Sequence, residues 1–293
     1  MNLLLLGTGQ LARALVNSVA NTRYSCTTLP REYYPQSDTS ALSTVLERYD
    51  GQTVIINTAA FTDVARAECE PELAMSVNYG GVVKLACLAR QHGALLVHFS
   101  TDYVFDGSGN RPWTESDQPK PLNHYGQSKL RGEQAILASG CRYLIIRTSW
   151  LHSPWQHNFL KTMLQLSQRH TELTVVSDQI GAPTSAGMIA DFTLRAIERA
   201  VIDSSLDGLY HVTSCGEVSW FNYSCFIFKE AKELGLIDRV PNVIPIATRN
   251  YDCLVKRPLN SRLDSSIFSH QFRIELPYWH EGVLDTLYQL SVS

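Results

Sequence analysis

Short apolar runs alternate with segments of helical period through the first half of the chain. The apolar runs predict five strands, at residues 3–6, 24–29, 53–57, 94–100 and 143–147. The segments between them predict helices, at about residues 10–20, 41–49, 68–92 and 125–137. This alternation is typical of βαβ units, so we predict an α/β fold with a Rossmann-type doubly wound parallel sheet.

The regular alternation ends after Trp150. A short strand is predicted at 173–176, a turn-rich stretch at 178–183, and helices at 186–200 and 220–234. We therefore expect residues 1–150 to form an NAD(P)-binding Rossmann domain. Residues 151–293 are expected to form mainly a smaller, mixed α/β substrate-binding lobe, with some segments returning to the first domain.

A glycine turn follows the first predicted strand, where the chain has the pattern G-x-G-x-x-A from Gly7 to Ala12. The first glycine permits a tight turn, and the second lets a phosphate approach the backbone. A pyrophosphate can then bind at the N-terminus of the helix that follows. The pattern predicts dinucleotide binding, with Gly7, Gly9, Gln10 and Leu11 at the pyrophosphate.

The end of the second predicted strand bears on which dinucleotide is bound. A carboxylate there would bind the ribose 2′-hydroxyl of NAD, whereas an arginine would accept the 2′-phosphate of NADP. Arg31 stands at this position and favours NADPH, but the adjacent Glu32 leaves NADH open.

Tyr125 and Lys129 are four residues apart at the start of a predicted helix, so their side chains share one face. An ammonium group beside a tyrosine lowers the phenol pKa from about 10 and makes the hydroxyl a usable acid or base. Thr101 lies at the carboxyl edge of the predicted sheet, where its hydroxyl could bind a carbonyl oxygen. With the glycine turn, these elements occur in the order that a nicotinamide oxidoreductase requires.

Composition narrows the class of partner. The net charge of −3 argues against a dedicated nucleic-acid binder. The opening apolar run covers residues 3–6, far short of the roughly 20 residues that span a bilayer, so we expect a cytoplasmic protein without a membrane partner. The seven cysteines are scattered without a C-x-x-C pair, and no H-E-x-x-H pattern occurs, so we predict no metal site.

Six blocks of sequence, reaching into the second half, resemble the extended short-chain dehydrogenase/reductases and, within them, the dTDP-4-dehydrorhamnose reductases. The blocks are N-T-A-A-F-T-D-V from Asn57, S-T-D-Y-V-F-D-G from Ser100, P-L-N-H-Y-G from Pro121, R-T-S-W from Arg147, D-Q-x-G-A-P-T from Asp178, and R-P-x-N-S-R-L from Arg257. The resemblance implies reduction of the 4-keto group of dTDP-6-deoxy-L-lyxo-4-hexulose to dTDP-L-rhamnose, with NADPH or NADH as cofactor.

The resemblance also implies roles for individual residues. Tyr125 would protonate the forming oxyanion, Lys129 would bind the nicotinamide ribose and lower the pKa of the tyrosine, and Thr101 would hydrogen-bond the keto oxygen. The implied cleft-lining residues are Ala59, Ala60 and Thr62. The candidates for the substrate side are Tyr103, Trp150 and Arg257, and a homodimer is a further expectation. Trp150 could equally be a core aromatic.

The cofactor turn departs from the family pattern. The family usually has two residues between the first two glycines and a third glycine, whereas this chain has only Thr8 there and Ala12 in third place. Three alternatives remain open: another nucleotide-sugar reductase, an epimerase, and a non-catalytic binding protein similar to the regulatory subunit of methionine adenosyltransferase. A 4,6-dehydratase is disfavoured, because Tyr103 follows Asp102 where its second catalytic carboxylate would stand.

Overall fold

Parallel strands and helices alternate along the first half of the computed structural model, which describes residues 1–20, 22–29, 34, 39–49, 52–252 and 255–292. The strands are β1 Asn2–Leu6, β2 Ser25–Leu29, β3 Thr53–Asn57, β4 Leu95–Thr101, β5 Arg142–Thr148, β6 Leu151–His152, β7 Glu172–Val176, β8 Ile180–Gly181, β9 Thr184–Ser185, β10 Gly208–His211, β11 Val218–Ser219 and β12 Asn242–Ile246. The α-helices are α1 Gln10–Val19, α2 Ser40–Leu46, α3 Val64–Cys69, α4 Pro71–Met75, α5 Gly81–Gln91, α6 His124–Ser139, α7 Phe159–Arg169, α8 Ala186–Ala200, α9 Trp220–Glu233, α10 Ser266–Phe272 and α11 Trp279–Ser291.

The central sheet has six strands in the order β10-β5-β4-β3-β1-β2, and every pairing in it is parallel. The predicted Rossmann-type α/β fold is confirmed. Chain order reverses at β1, which lies between β2 and β3. In open parallel sheets, ligands bind beyond the carboxyl ends of the strands at such a reversal. The topology therefore places the expected crevice beyond β1 and β3.

The central strands are apolar on both faces because helices cover both sides of the sheet. Successive side chains of a strand point to opposite faces, so Leu3 and Leu5 belong to one core while Leu4 and Leu6 belong to the other. Helices α1 and α8 cover the first core, and α5 covers the second. This two-sided burial explains why β1 has a continuous apolar run.

The prediction of one long helix over residues 68–92 is wrong. Helix α3 begins earlier and ends at Cys69, α4 begins at Pro71, and a π-helical turn over residues 76–80 precedes α5. Proline favours a first helical position, because its ring fixes φ and it has no N–H to donate. In the π turn, Asn78 is held by tertiary contacts: its Oδ1 accepts from Phe61 N at 2.8 Å, and its Nδ2 donates to Ser128 Oγ at 2.9 Å.

Helix α6 carries the predicted Tyr125 and Lys129 pair. Its N-cap is Asn123, whose Oδ1 accepts from Gly126 N at 2.8 Å. Gly126 is required there, because a Cβ at this position would overlap the carbonyl oxygen of Tyr103. The cap and the glycine therefore fix the first turn of α6 directly against the loop that follows β4.

The second half of the chain adds small sheets and helices. Helix α8 has the predicted bounds and packs on α1, while β10 joins the central sheet beside β5. The remaining strands pair two by two, as β11 with β8, β12 with β7, and β6 with β9. A separate apolar core around Tyr223 and Phe228 binds α7, α9 and α11 together.

Two further features concern the described part of the chain alone. It contains no helix both long enough and apolar enough to cross a membrane. Within it, no cluster of three or more His, Cys, Asp and Glu side chains could hold a metal ion. Six cysteines are free thiols there, and Cys253 lies outside the described residues.

Candidate active site

A cleft of about 420 Å³ opens beyond the carboxyl ends of β1 and β3, where the topology predicts a ligand. Its walls are the glycine turn after β1, the segment after β3, and single residues from more distant parts of the chain. The lining residues are Leu6, Gly7, Thr8, Gly9, Tyr34, Thr58, Ala59, Ala60, Phe61, Thr62, Asp63, Arg66, Val77 and Gln156.

Gly7 adopts a φ of 114°, which L side chains rarely allow, and a Cβ there would overlap Thr58 and the backbone of Ala59. Gly9 is the N-cap of α1 and has no side chain to satisfy the free N–H groups of the first turn. These N–H groups and the positive end of the helix dipole are suited to a bound phosphate. The residues present therefore fit the pyrophosphate of a dinucleotide.

The predicted cofactor residues fall into two groups. Gly7, Gly9, Ala59, Ala60 and Thr62 all line the cleft. Gln10 and Leu11, at the start of α1, direct their side chains away from the cleft. Leu11 is buried in the core, and the Gln10 amide oxygen accepts hydrogen bonds from the side chains of residues 153 and 158. What this pair offers a ligand is backbone N–H. Arg31 and Glu32 lie outside the described residues.

Thr101 and Tyr125 lie near each other at the carboxyl end of β4, where the Thr101 hydroxyl donates to Asp102 Oδ1 at 3.1 Å and acts to lower the pKa of Tyr125. Thr101 ends the strand and is buried, and Tyr125 projects from the first turn of α6. The ring of Tyr103 packs edge-on against Tyr125 at 5.6 Å between centroids. The structure thus brings a hydroxyl pair and two aromatic rings together at the sheet edge.

Burial raises the pKa of Tyr125, and the nearby Thr101 hydroxyl opposes the rise. The sequence predicts instead that Lys129 lowers this pKa. In the ligand-free structure the Lys129 ammonium is turned toward β4, where its Nζ donates to Phe99 O at 2.6 Å. Tyr125 is therefore a protonated phenol at neutral pH in this state.

Lys129 is only 2% exposed, and burial lowers its pKa to about 8, an effect that the nearby Glu133 opposes. His98 adds to the environment from β4. Asn57 Oδ1 accepts from Ala59 N at 3.1 Å, so the Asn57 amide nitrogen donates to His98 Nδ1, at 3.0 Å. His98 Nε2 then carries the ring proton and faces Lys129 Nζ at 3.5 Å. Two donors facing each other disfavour the ammonium in this position.

Asp102 lies beside Thr101 and is 2% exposed. Burial raises its pKa to about 6, against the hydrogen bonds from Ser261 and Thr101. Its Oδ2 is buried and finds no donor among the described residues. The segment around Arg257, from the second half of the chain, contacts the N-terminus of α6. There Asn123 Nδ2 donates to Lys256 O at 3.0 Å.

Arg257 and Trp150, two predicted substrate residues, have unusual surroundings. The Arg257 Nε is buried and meets no acceptor in the described part of the chain, which is costly for a guanidinium N–H. Trp150 has a φ of 48° and stacks on Trp220 with centroids 3.5 Å apart, so one of its faces belongs to the separate core around Tyr223 and Phe228. Its ring also crosses Gly181, where a Cβ would overlap it.

Residues 1–292 match the family described as the RmlD substrate binding domain. The chain belongs to this family. It is 41% identical over 240 residues to the dTDP-4-dehydrorhamnose reductase of Escherichia coli strain K12, which covers 82% of this chain and 80% of the relative. The resemblance found in the sequence is confirmed.

Solved structures with the name dTDP-4-dehydrorhamnose reductase superpose along the whole RmlD-family chain. The enzyme from Clostridium acetobutylicum has a TM-score of 0.88 and 32% identity, covering 99% of each chain. The enzyme from Bacillus anthracis, in complex with NADP, has a TM-score of 0.88 and 31% identity, covering 98% of this chain and 99% of the other.

Several residues of this RmlD-family site escape sequence reasoning. Tyr34, Arg66 and Gln156 line the cleft, but none lies in a recognisable cofactor motif. Arg66 follows the N-T-A-A-F-T-D-V block in the sequence. This proximity is the one signal by which sequence reasoning could have placed Arg66 at the cleft. Gln156 is separated from the glycine turn by about 150 residues of sequence, and only the fold brings it there.

Proposed function

We propose that this chain reduces the 4-keto group of dTDP-6-deoxy-L-lyxo-4-hexulose to dTDP-L-rhamnose, as a dTDP-4-dehydrorhamnose reductase. The observation that carries the proposal is that the fold places Thr101, at the end of β4, near Tyr125 and Lys129 on the first turns of α6, together with a cleft suited to a dinucleotide. The names of its relatives support the same activity.

NADPH, with NADH as a possible substitute, supplies the hydride for C4 when it is bound. Gly7 and Gly9 shape the turn for its pyrophosphate, with Gln10 and Leu11 contributing backbone N–H groups. Ala59, Ala60 and Thr62 form the opposite wall of the cleft. The preference for NADPH through Arg31 stays a prediction from the sequence.

The residues of the chain supply the proton that the reduced keto oxygen takes up. Thr101 hydrogen-bonds the keto oxygen, and Tyr125 gives the proton of its hydroxyl to that oxygen as negative charge develops there. Its raised pKa keeps the proton in place until the oxyanion forms. Lys129 would hold the nicotinamide ribose, and its charge would stabilise the phenolate that remains.

The substrate binds through Tyr103, Trp150 and Arg257. Tyr103 contacts the sugar beside Tyr125, and the exposed part of Trp150 contacts the sugar or the thymine. The diphosphate gives the buried Arg257 Nε the acceptor that the described chain does not provide. A charge-assisted hydrogen bond of this kind would orient the sugar toward Tyr125.

The two halves of the chain have different binding roles. Residues 1–150 form the NAD(P)-binding domain, and residues 151–293 form mainly the substrate lobe, with α8 and β10 returning to the first domain. The protein acts in the cytoplasm on a nucleotide sugar, without nucleic-acid or membrane partners, and assembles as a homodimer.

The decisive experiment follows NADPH oxidation with freshly prepared dTDP-6-deoxy-L-lyxo-4-hexulose and identifies the sugar product. Tyr125→Phe is expected to retain NADPH binding and to lose about 10²- to 10⁴-fold in turnover, because it removes only the proton donor. Tyr288→Phe, at a tyrosine 59% exposed on α11, is the matched control and is expected to leave turnover unchanged.

Three results would count against the proposal. No oxidation by folded wild-type protein would favour a different 4-keto sugar or a non-catalytic binding protein. Interconversion of sugars without net NADPH consumption would favour an epimerase. Full turnover by Tyr125→Phe would refute the assignment of the proton donor.

A further inference from the structure

A short segment from the second half of the chain, residues 153–158, lies against the glycine turn. Ser153 Oγ donates to Gln10 Oε1 at 2.7 Å, and Asn158 Nδ2 donates to the same oxygen at 2.8 Å. Gln156 Nε2 donates to Thr8 O at 2.8 Å. Three side-chain hydrogen bonds therefore join this segment to the turn and to the first residue of α1.

Gln156 has a backbone conformation that a non-glycine residue seldom adopts, with a φ of 53°. Such strain persists where the surroundings impose it, and it collects at binding sites. The side chain of Gln156 is exposed, yet it lines the cleft together with Thr8 and Gly9. The strained backbone thus holds an amide group at the mouth of the dinucleotide site.

The side-chain amide of Gln156 affects the electrostatics of the glycine turn. Thr8, the single residue between the two glycines, lines a cleft suited to an anion. An unpaired carbonyl oxygen there would repel a phosphate, whereas a carbonyl that accepts a hydrogen bond repels it less. A side-chain amide has two N–H donors, and Thr8 O uses one of them.

We infer that Gln156 is a cofactor-binding residue, which holds Thr8 O with one amide hydrogen and donates the other to the pyrophosphate of the dinucleotide. The inference deepens the proposed function and rests on it, because it presupposes a nicotinamide dinucleotide in this cleft. It also explains how the shortened turn retains a phosphate site: the second half of the chain supplies the donor.

The test measures the Kd of NADPH by fluorescence titration for the wild type and for three variants of one position. Gln156→Ala removes the amide, Gln156→Gly removes it and also relieves the positive φ, and Gln156→Glu replaces the donor with a negative charge. We expect the alanine and glycine variants to weaken NADPH binding about tenfold. The glutamate variant should weaken it further, because its charge faces the phosphates.

Two controls separate a binding role from a general structural one. Gln165→Ala, at an exposed glutamine of α7, should leave the Kd unchanged. Adenosine 2′,5′-bisphosphate carries a single 5′-phosphate in place of the pyrophosphate of NADPH. Its affinity should therefore fall less than that of NADPH in every Gln156 variant.

The outcomes are distinct. Weakened NADPH binding by both the alanine and glycine variants, with the smaller fragment less affected, supports the inference. Wild-type affinity in Gln156→Gly overturns it, because the side-chain amide would then contribute nothing. Failure of the wild type to bind NADPH or NADH would refute the proposed function and this inference together.

Discussion

Glu133→Gln is expected to destabilise the protein by about 3–5 kcal/mol, because it leaves a buried guanidinium without its charge partner. Glu133 on α6 and Arg147 on β5 are 1% and 3% exposed, and two hydrogen bonds of 2.9 and 2.6 Å join them. The neighbouring ring of His211 cannot replace the lost charge. Burial lowers the pKa of His211 to about 3, so the ring is neutral at working pH.

The magnitude follows from burial rather than from the number of ion pairs. Arg142 and Asp207 form a pair of similar geometry, but their side chains are 34% and 17% exposed. Water can solvate a charge left alone there, so Asp207→Asn should cost only about 1 kcal/mol. Replacing both members of the buried pair, as in Glu133→Leu with Arg147→Met, should cost less than Glu133→Gln alone, because no charge remains unpaired.

Urea denaturation followed by circular dichroism measures these differences, with the slope of the transition checked for each variant. A loss below about 1 kcal/mol in Glu133→Gln would refute the reasoning, since a desolvated guanidinium cannot be left unpaired at so small a cost. A double variant less stable than Glu133→Gln would refute it as well, because packing and not charge would then govern the site.

Three further predictions concern the active site. The kcat/KM of the wild type should fall as pH rises through about 8, because the Lys129 ammonium is the active form and its pKa lies there; a profile that is flat up to pH 10 would contradict this role. Gly7→Ala should raise the Kd of NADPH at least tenfold and lower the free energy of unfolding by about 1–3 kcal/mol, since alanine cannot adopt a φ of 114° without strain. Titration calorimetry and urea denaturation measure the two effects, and unchanged values would contradict the account of the turn. Arg257→Gln should raise KM for the nucleotide sugar about tenfold with little change in kcat, and steady-state kinetics in which kcat alone fell would contradict diphosphate binding.

Local patterns account for most of the fold. Helix α8 has the bounds that the sequence predicts, because an uninterrupted helical period of apolar residues spans it. The long helix predicted over residues 68–92 fails at two points, for different reasons. The proline at 71 is a local signal that favours a break, whereas the π turn at 76–80 depends on Asn78 and its bonds to Phe61 and Ser128, which lie far away in sequence.

The candidate site likewise has some features that local sequence predicts and others that depend on tertiary contacts. The glycine turn, Thr101, and the spacing of Tyr125 and Lys129 are visible in the sequence, because each depends on a few neighbouring residues. The direction in which the Lys129 ammonium points is a tertiary result, since its acceptor belongs to β4. The raised pKa of Tyr125 is also tertiary, because it comes from burial by segments that the sequence does not show to be adjacent.

The alternation of strands and helices, the position of the phosphate turn, the tyrosine and lysine pair, and the family can all be read from the order of residues. These features are encoded by local spacing, which the chain carries in any conformation. By contrast, the contact of Gln156 with Thr8 and the ion pair of Glu133 with Arg147 arise from tertiary packing. Each contact joins two separate elements of the fold, and its energy depends on how far water is excluded, which no stretch of sequence specifies alone.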